Sequence, residues 1–98
     1  MKYKSILRFE VYIITLVIIM YYRIKEAREN AGIKQKKVAK ILHCAQQTYS
    51  NYEKQTRKIP VEFLVALAEF YETSVDYLLG LTDVRAPYPK SKRKQFDE

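Results

Sequence analysis

The sequence predicts an all-α protein built as one small domain. Apolar residues recur every three or four positions from about residue 21 onwards, which is the period of helices with one buried side. Breaks at Gly32, at 43–45 and at 55–58 divide this pattern into short helices. The length of 98 residues fits a single domain. We therefore expect a helical domain over 21–83, between an extension over 1–20 and a tail over 84–98.

The first helix of the domain is expected to begin near Tyr21 and to end at Gly32. Ile24 and Ala27 lie three positions apart on its inner side, and Gly32 favours the left-handed conformation that stops a helix. A second helix is predicted over 35–42. Its apolar side consists of Val38, Ala39, Ile41 and Leu42.

A third helix is predicted over 46–54, after the break at 43–45. Tyr49 and Tyr52 lie three residues apart on its inner side, where we expect them to join the core. The positions predicted to face outward carry no charge, although lysine and arginine crowd the sequence on both sides. Amide side chains can pair with adenine edges, while cations hold phosphates, so this pattern suits a DNA major groove. The outward residues are Gln46, Gln47, Ser50 and Asn51.

Two more helices complete the predicted domain. Pro60 marks the first turn of the fourth helix, and Thr73 or Ser74 is expected to cap the fifth, which Gly80 ends. Both helices are amphipathic. Their apolar residues are Phe63, Leu64, Leu67, Ala68 and Tyr71 in the fourth and Val75, Leu78 and Leu79 in the fifth.

Several motifs follow one another in a characteristic order. They are Arg28-x6-Gln35-x2-Val38-Ala39-x6-Gln46-Gln47-x4-Tyr52-Glu53, then Pro60, Leu64-x2-Leu67-Ala68 and the stretch Ser74-Val75-Asp76-Tyr77-Leu78-Leu79-Gly80. Together they resemble the phage repressor/Cro (XRE-type) helix-turn-helix family. The resemblance covers roughly residues 21–83 and implies a five-helix DNA-binding domain, with helices 2 and 3 as the helix-turn-helix. It also implies a dimer that binds a two-fold operator.

The resemblance and the residue types together assign the DNA contacts. Gln46, Gln47 and Asn51 are expected to read bases, with Ser50 as a weaker candidate. By resemblance, Gln35 contacts the DNA backbone and braces Gln46. The residues expected to contact phosphates are Lys34, Gln35, Lys36, Thr48, Lys54, Arg57 and Lys58.

The resemblance also implies a structural ion pair between Arg28 and Glu53, which would fix the third helix against the first. The sequence departs from the family at the helix caps, where Lys34 and Ala45 replace serine or threonine and remove capping of about 1 kcal/mol each. His43 and Gln55 stand where the family commonly has glycine. These two residues are expected to adopt a strained backbone or to change the turn.

Charge and composition favour a nucleic-acid partner. The net charge is +7, and residues 34–58 hold seven lysines and arginines against Glu53 alone. Cys44 is the only cysteine, which excludes an intramolecular disulfide and suits a reducing cytoplasm. The sequence shows no metal-ligand spacing and no evident cofactor or small-molecule site. It also lacks a paired carboxylate, a nucleophile beside a base and a glycine-rich phosphate loop, so we do not expect an enzyme.

The apolar run from Val11 to Tyr22 leaves three alternatives for the extension. It is a strand or a backward extension of the first helix that forms a homodimer. Alternatively, Met20 is the biological start and the preceding segment is a start-site artefact. A membrane anchor is the least favoured alternative, because Arg8 and Glu10 interrupt the run short of the ~20 apolar residues of a span.

The tail over 84–98 combines prolines with a basic cluster and is expected to be mobile. It serves solubility or acts as an extra phosphate-seeking arm. The predicted function is a sequence-specific transcriptional regulator, a repressor that binds a palindromic operator in double-stranded DNA. The alternative is an antitoxin-type protein that binds a partner toxin as well as DNA.

Overall fold

The computed structural model describes residues 2–92, with side chains from residue 8 onwards except those of 16–22. Met1 and residues 93–98, the end of the predicted tail, lie outside the described residues. Five helices and no strand occur within 2–92, which confirms the all-α prediction. The helices are α1 (Lys2–Asn30), α2 (Gln35–Ile41), α3 (Gln46–Glu53), α4 (Val61–Phe70) and α5 (Val75–Leu78).

Helix α1 begins about twenty residues earlier than predicted. Residues 2–22 contain neither glycine nor proline, so nothing in this segment breaks a helix that continues backwards from the domain. Its many β-branched residues lower helix propensity only slightly. The strand alternative for the extension is therefore wrong, and the extension continues α1.

The core lies where the five helices meet. Tyr49 is completely buried, and its ring packs edge-to-face on Tyr52 with centroids 6.4 Å apart. Tyr52 packs in turn on Phe63 at 6.0 Å. These contacts confirm that the two tyrosines of α3 face inward. The buried apolar residues are Ile24, Val38, Ala39, Leu42, Tyr49, Tyr52, Ile59, Leu64, Leu67, Ala68, Tyr71 and Leu78.

The turns around α2 and α3 carry the strain that the sequence predicts. His43 and Gln55 both adopt positive φ, at 57° and 67°. Neither Lys34 nor Ala45 makes a side-chain cap hydrogen bond. Ser74, by contrast, caps α5, since its hydroxyl accepts a hydrogen bond from the backbone N–H of Tyr77 at 3.0 Å.

Arg23 fixes α1 to the far end of the domain, a contact that the sequence did not reveal. Its guanidinium donates to the backbone carbonyl of Tyr77 at 3.0 Å and to the Asp83 carboxylate at 2.8 Å. The same group lies 4.3 Å from the centroid of the Tyr77 ring. The direction of α1 is thereby set by α5 as well as by the core.

The predicted tail contains no helix within 84–92, but it contacts the domain rather than extending freely. The backbone carbonyl of Arg85 accepts a hydrogen bond from the buried Thr73 hydroxyl, and the Arg85 guanidinium donates to the carbonyl of Tyr71 at 3.3 Å. The Tyr88 hydroxyl donates to Asp76 at 2.9 Å. The start of the tail therefore lies along the corner between α4 and α5.

Candidate nucleic-acid interface

A bidentate ion pair holds α3 against α1. Arg28 Nε donates to Glu53 Oε2 at 2.7 Å, and Arg28 Nη2 donates to Glu53 Oε1 at 3.1 Å. Arg28 Nη1 also donates to the carbonyl of Ile33 at 3.0 Å, just after the end of α1. Glu53 is buried and Arg28 is nearly so. One charged pair thus joins α1, the following turn and the last residue of α3.

Gln35 completes this cluster. Its amide Nε2 donates to Glu53 Oε1 at 2.9 Å, so the structure places this side chain on Glu53 rather than on Gln46. The carboxylate has lone pairs beyond those that Arg28 occupies, and the amide uses one of them. The first residue of α2 is thereby tied to the last residue of α3.

The environment of Glu53 favours its charged form. Burial alone would raise the pKa of the carboxyl, but the hydrogen bonds from Arg28 and Gln35 outweigh it and hold the pKa below its ordinary value. Burial, reinforced by the Glu53 charge, raises the pKa of Tyr49 well above its usual range. The inner side of α3 therefore carries one ionised carboxylate, paired with Arg28.

The outer side of α3 carries no charged residue, and its side chains are exposed or half-buried. Gln46 and Gln47 are exposed, and Thr48 and Asn51 are half-buried. Gln47 Nε2 donates to Asn51 Oδ1 at 3.2 Å, across one turn of the helix. This hydrogen bond leaves the amide oxygen of Gln47 free to accept, and the amide N–H groups of Asn51 free to donate, a hydrogen bond to a ligand. Three of the four residues predicted to read bases thus have atoms available on this side.

The prediction that Ser50 faces outward is wrong, because the residue is buried, with only 8% of its surface exposed. Ser50 lies between the buried Tyr49 and Tyr52 in the chain, at the border between the inner and outer sides of the helix. The charge pattern alone gave no signal for this burial.

Exposed cations flank the amides of α3 on both sides along the chain. We call this set the cationic frame; all of its members are exposed, and the one acidic residue within 34–58 is the buried, paired Glu53. The surface of this region therefore carries more positive charge than the sequence sum suggests. The cationic frame consists of Lys34, Lys36, Lys37, Lys40, Lys54, Arg57 and Lys58.

Other kinds of site find little support on the described residues. No group of histidine, cysteine, aspartate and glutamate among them is arranged to hold a metal ion. Cys44 is half-buried against the core, and burial raises the pKa of its thiol, which disfavours the reactive thiolate. Within the part of the chain that the structure describes, no helix is long and apolar enough to cross a membrane.

Comparisons with known proteins agree with this architecture. A family model described as helix-turn-helix matches residues 24–78. A Bacillus subtilis protein named as the uncharacterized HTH-type transcriptional regulator YobD is 38% identical over 76 residues, which are 78% of this chain and 66% of that protein. The HTH-type transcriptional regulator ImmR of the same organism is 42% identical over 75 residues, covering 76% of this chain and 54% of ImmR.

A solved structure has the same fold. The crystal structure of a transcriptional regulator from Listeria innocua superimposes with a TM-score of 0.61 at 23% identity, covering 79% of this chain and 70% of that one. The matched regions span about two thirds and about half of the two Bacillus proteins. Their names describe regulators rather than enzymes, in agreement with the sequence prediction. This chain belongs to the phage repressor/Cro-like (XRE-type) helix-turn-helix family of transcriptional regulators.

Proposed function

We propose that this protein binds double-stranded DNA and regulates transcription, with α3 in the major groove as the element that reads sequence. The observation that carries the proposal is the outer side of α3, where the amides of Gln46 and Gln47 are exposed, that of Asn51 is half-buried, and the cationic frame flanks them along the chain. An α-helix fits the major groove, and amides present the donors and acceptors that distinguish base pairs there. The cations match the phosphates on either side.

The Gln47–Asn51 hydrogen bond supports a specific way of reading. Whichever amide donates within the pair, one donor and one acceptor remain free, and these belong to different side chains. Adenine presents an acceptor at N7 beside a donor at N6 in the major groove, which matches such a pair. We infer that Gln47 and Asn51 act together on a site containing adenine, with Gln46 reading a neighbouring base.

Five cations of the frame and two further residues are assigned to the phosphates; the five cations are Lys34, Lys36, Lys54, Arg57 and Lys58. Thr48 is half-buried on the flank of α3, where its hydroxyl suits a backbone contact. Gln35 is bound to Glu53, and its second amide hydrogen is the group left for a phosphate. Arg57 and Lys58 follow α3 and would contact phosphates further along the same strand.

We further propose that the protein is a repressor that binds a two-fold operator as a homodimer. In this arrangement the two copies of α3 enter half-sites one helical turn apart, ~34 Å. A repressor acts when an occupied operator overlaps a promoter. No observation on the described residues favours the antitoxin alternative, since the start of the tail lies on its own domain.

Selection of bound sequences from a random duplex pool tests this proposal. We expect enrichment of a motif with two related half-sites, each containing adenine, and lower transcription from a promoter that carries the motif. A pool that stays random after selection would refute sequence reading. A single half-site without symmetry would refute the two-fold operator, and increased transcription would refute repression.

A further inference from the structure

The N-terminal half of α1 extends away from the domain with apolar side chains in solvent. Residues 8–15 are all exposed, and Phe9 and Val11 expose 64% and 61% of their surface. The radius of gyration is 15.7 Å, whereas a compact chain of this length has about 13 Å. Four consecutive apolar residues, 11–14, are exposed on a helix that Arg23 anchors to the domain. An exposed apolar helix surface of this kind marks a site for a partner surface.

Helical periodicity separates two sides of this segment. Eleven residues make about three turns, so Ile13 lies on the same side of α1 as the fully buried Ile24. Ile14 lies, by the same step, on the side of Lys25, which is exposed. Val11 precedes Ile14 by three residues and shares its side. We call Val11 and Ile14 the distal face, because their side of α1 points away from the domain.

Opposite charges flank the distal face. With 100° of rotation per residue around the helix axis, Glu10 lies about 70° to one side of the centre of the distal face, and Arg8 lies about 90° to the other side. When two such helices pair in parallel about a two-fold axis, the Arg8 flank of each helix lies opposite the Glu10 flank of its partner. Arg8 of each copy then lies opposite Glu10 of the other, twice in one dimer. An antiparallel pair would lack this attraction between opposite charges, because it places the Arg8 flanks of the two copies opposite each other and the Glu10 flanks likewise.

We propose that a second copy of this chain packs its α1 in parallel against α1 through the distal face. The two domains stay on the outside of such a pair, because the side of α1 that carries Ile24 points away from the contact. The charged Lys25 lies on the same side of α1 as the distal face, so the pairing is confined to the N-terminal part of the helix. A parallel pair also keeps both copies of α3 at one end, which the proposed two-fold operator requires.

Sedimentation of the full-length chain without DNA tests the pairing. We expect the wild-type protein to sediment at twice the 11.7 kDa of one chain. The variant Val11→Lys with Ile14→Lys should sediment as a monomer. The variant Tyr12→Lys with Ile13→Lys is the matched control, since it adds the same charge to the same two turns on other sides of α1. It should remain a dimer, and circular dichroism should show equal helix content in the three proteins.

A charge exchange tests the parallel arrangement. Arg8→Glu alone should weaken the dimer by about tenfold in its dissociation constant, and adding Glu10→Arg should restore it. A monomeric wild-type chain would overturn the proposal, as would a control variant that dissociates like the distal-face variant. Failure of the exchange to restore the dimer would overturn the parallel arrangement. These outcomes are measured without DNA, so they leave the proposal of DNA reading intact.

Discussion

The inner and outer sides of α3 are built from opposite chemistry within eight residues. On the inner side, two tyrosines are buried and the Glu53 carboxylate accepts hydrogen bonds from Arg28 and Gln35. On the outer side, Gln47 makes its one described contact with Asn51, and that contact leaves other polar atoms free. The inner side fixes where the helix lies, and the outer side offers donors and acceptors. Stability and sequence reading should therefore respond to different substitutions.

Breaking the inner side should have the largest effect. Arg28→Ala and Glu53→Ala should each lower the free energy of unfolding by ~3–5 kcal/mol, because each change leaves a buried charge unpaired. The double variant should lose less than the sum of the two. Denaturant midpoints of the four proteins give these values, with Glu29→Ala, an exposed neighbour, as the control. Strictly additive losses would show that the pair contributes nothing as a pair.

Acid should weaken the same side of α3. Glu53 has a lowered pKa in the folded protein, so its contribution is present above the unfolded pKa and disappears as the pH falls through the folded value. The free energy of unfolding should therefore begin to fall as the pH drops to the ordinary glutamate pKa of about 4.3, and it should keep falling below that pH. Glu53→Gln should show a smaller fall over this range. An unchanged pH profile in that variant would contradict the assignment to Glu53.

The cationic frame should affect affinity without affecting preference. Lys36→Ala should weaken binding to every duplex to a similar extent and reduce the slope of log K against log salt by about one. Lys25→Ala, which removes an exposed lysine outside the frame, should leave the slope unchanged. A loss at Lys36 confined to one sequence would assign this residue to base reading instead.

The turn between α2 and α3 should give the smallest effect. His43 has a φ of 57°, a conformation that costs an L-residue about 1–2 kcal/mol and glycine much less. His43→Gly should therefore raise the free energy of unfolding by about 1 kcal/mol, the larger entropy of unfolded glycine offsetting part of the gain. His43→Ala keeps the Cβ and should give no gain. Equal stability of both variants would show that the turn is not strained.

The sequence predicted the fold well because the signals that define it are local. Apolar periodicity placed the core side chains, and the missing caps at Lys34 and Ala45 were correctly expected. The burial of Ser50 could not be predicted, since the residue lies at the border between the two sides of α3, where tertiary packing determines its exposure. The Arg23 contact was equally hidden, because its partners Tyr77 and Asp83 lie more than fifty residues away in the chain.

The conformation of the extension, by contrast, could not be predicted from local signals. Its composition suggested both a strand and a helix, because β-branched residues suit either when no packing decides. The extension is helical because α1 is helical within the domain and no residue of the extension breaks that helix. Its apolar surface was evident from the sequence, whereas the division into two sides required the position of Ile24 in the core.

The most direct test of the division between the two sides of α3 is one variant measured in two ways. Gln47→Ala should cost ~1–3 kcal/mol of binding on the selected duplex, cost much less on random duplex, and relax preference at one base position in each half-site. Its free energy of unfolding should stay within about 0.5 kcal/mol of the wild-type value, because the side chain is exposed. Equal losses on selected and random duplex would contradict base reading by α3, and a large loss of stability would contradict the separation itself.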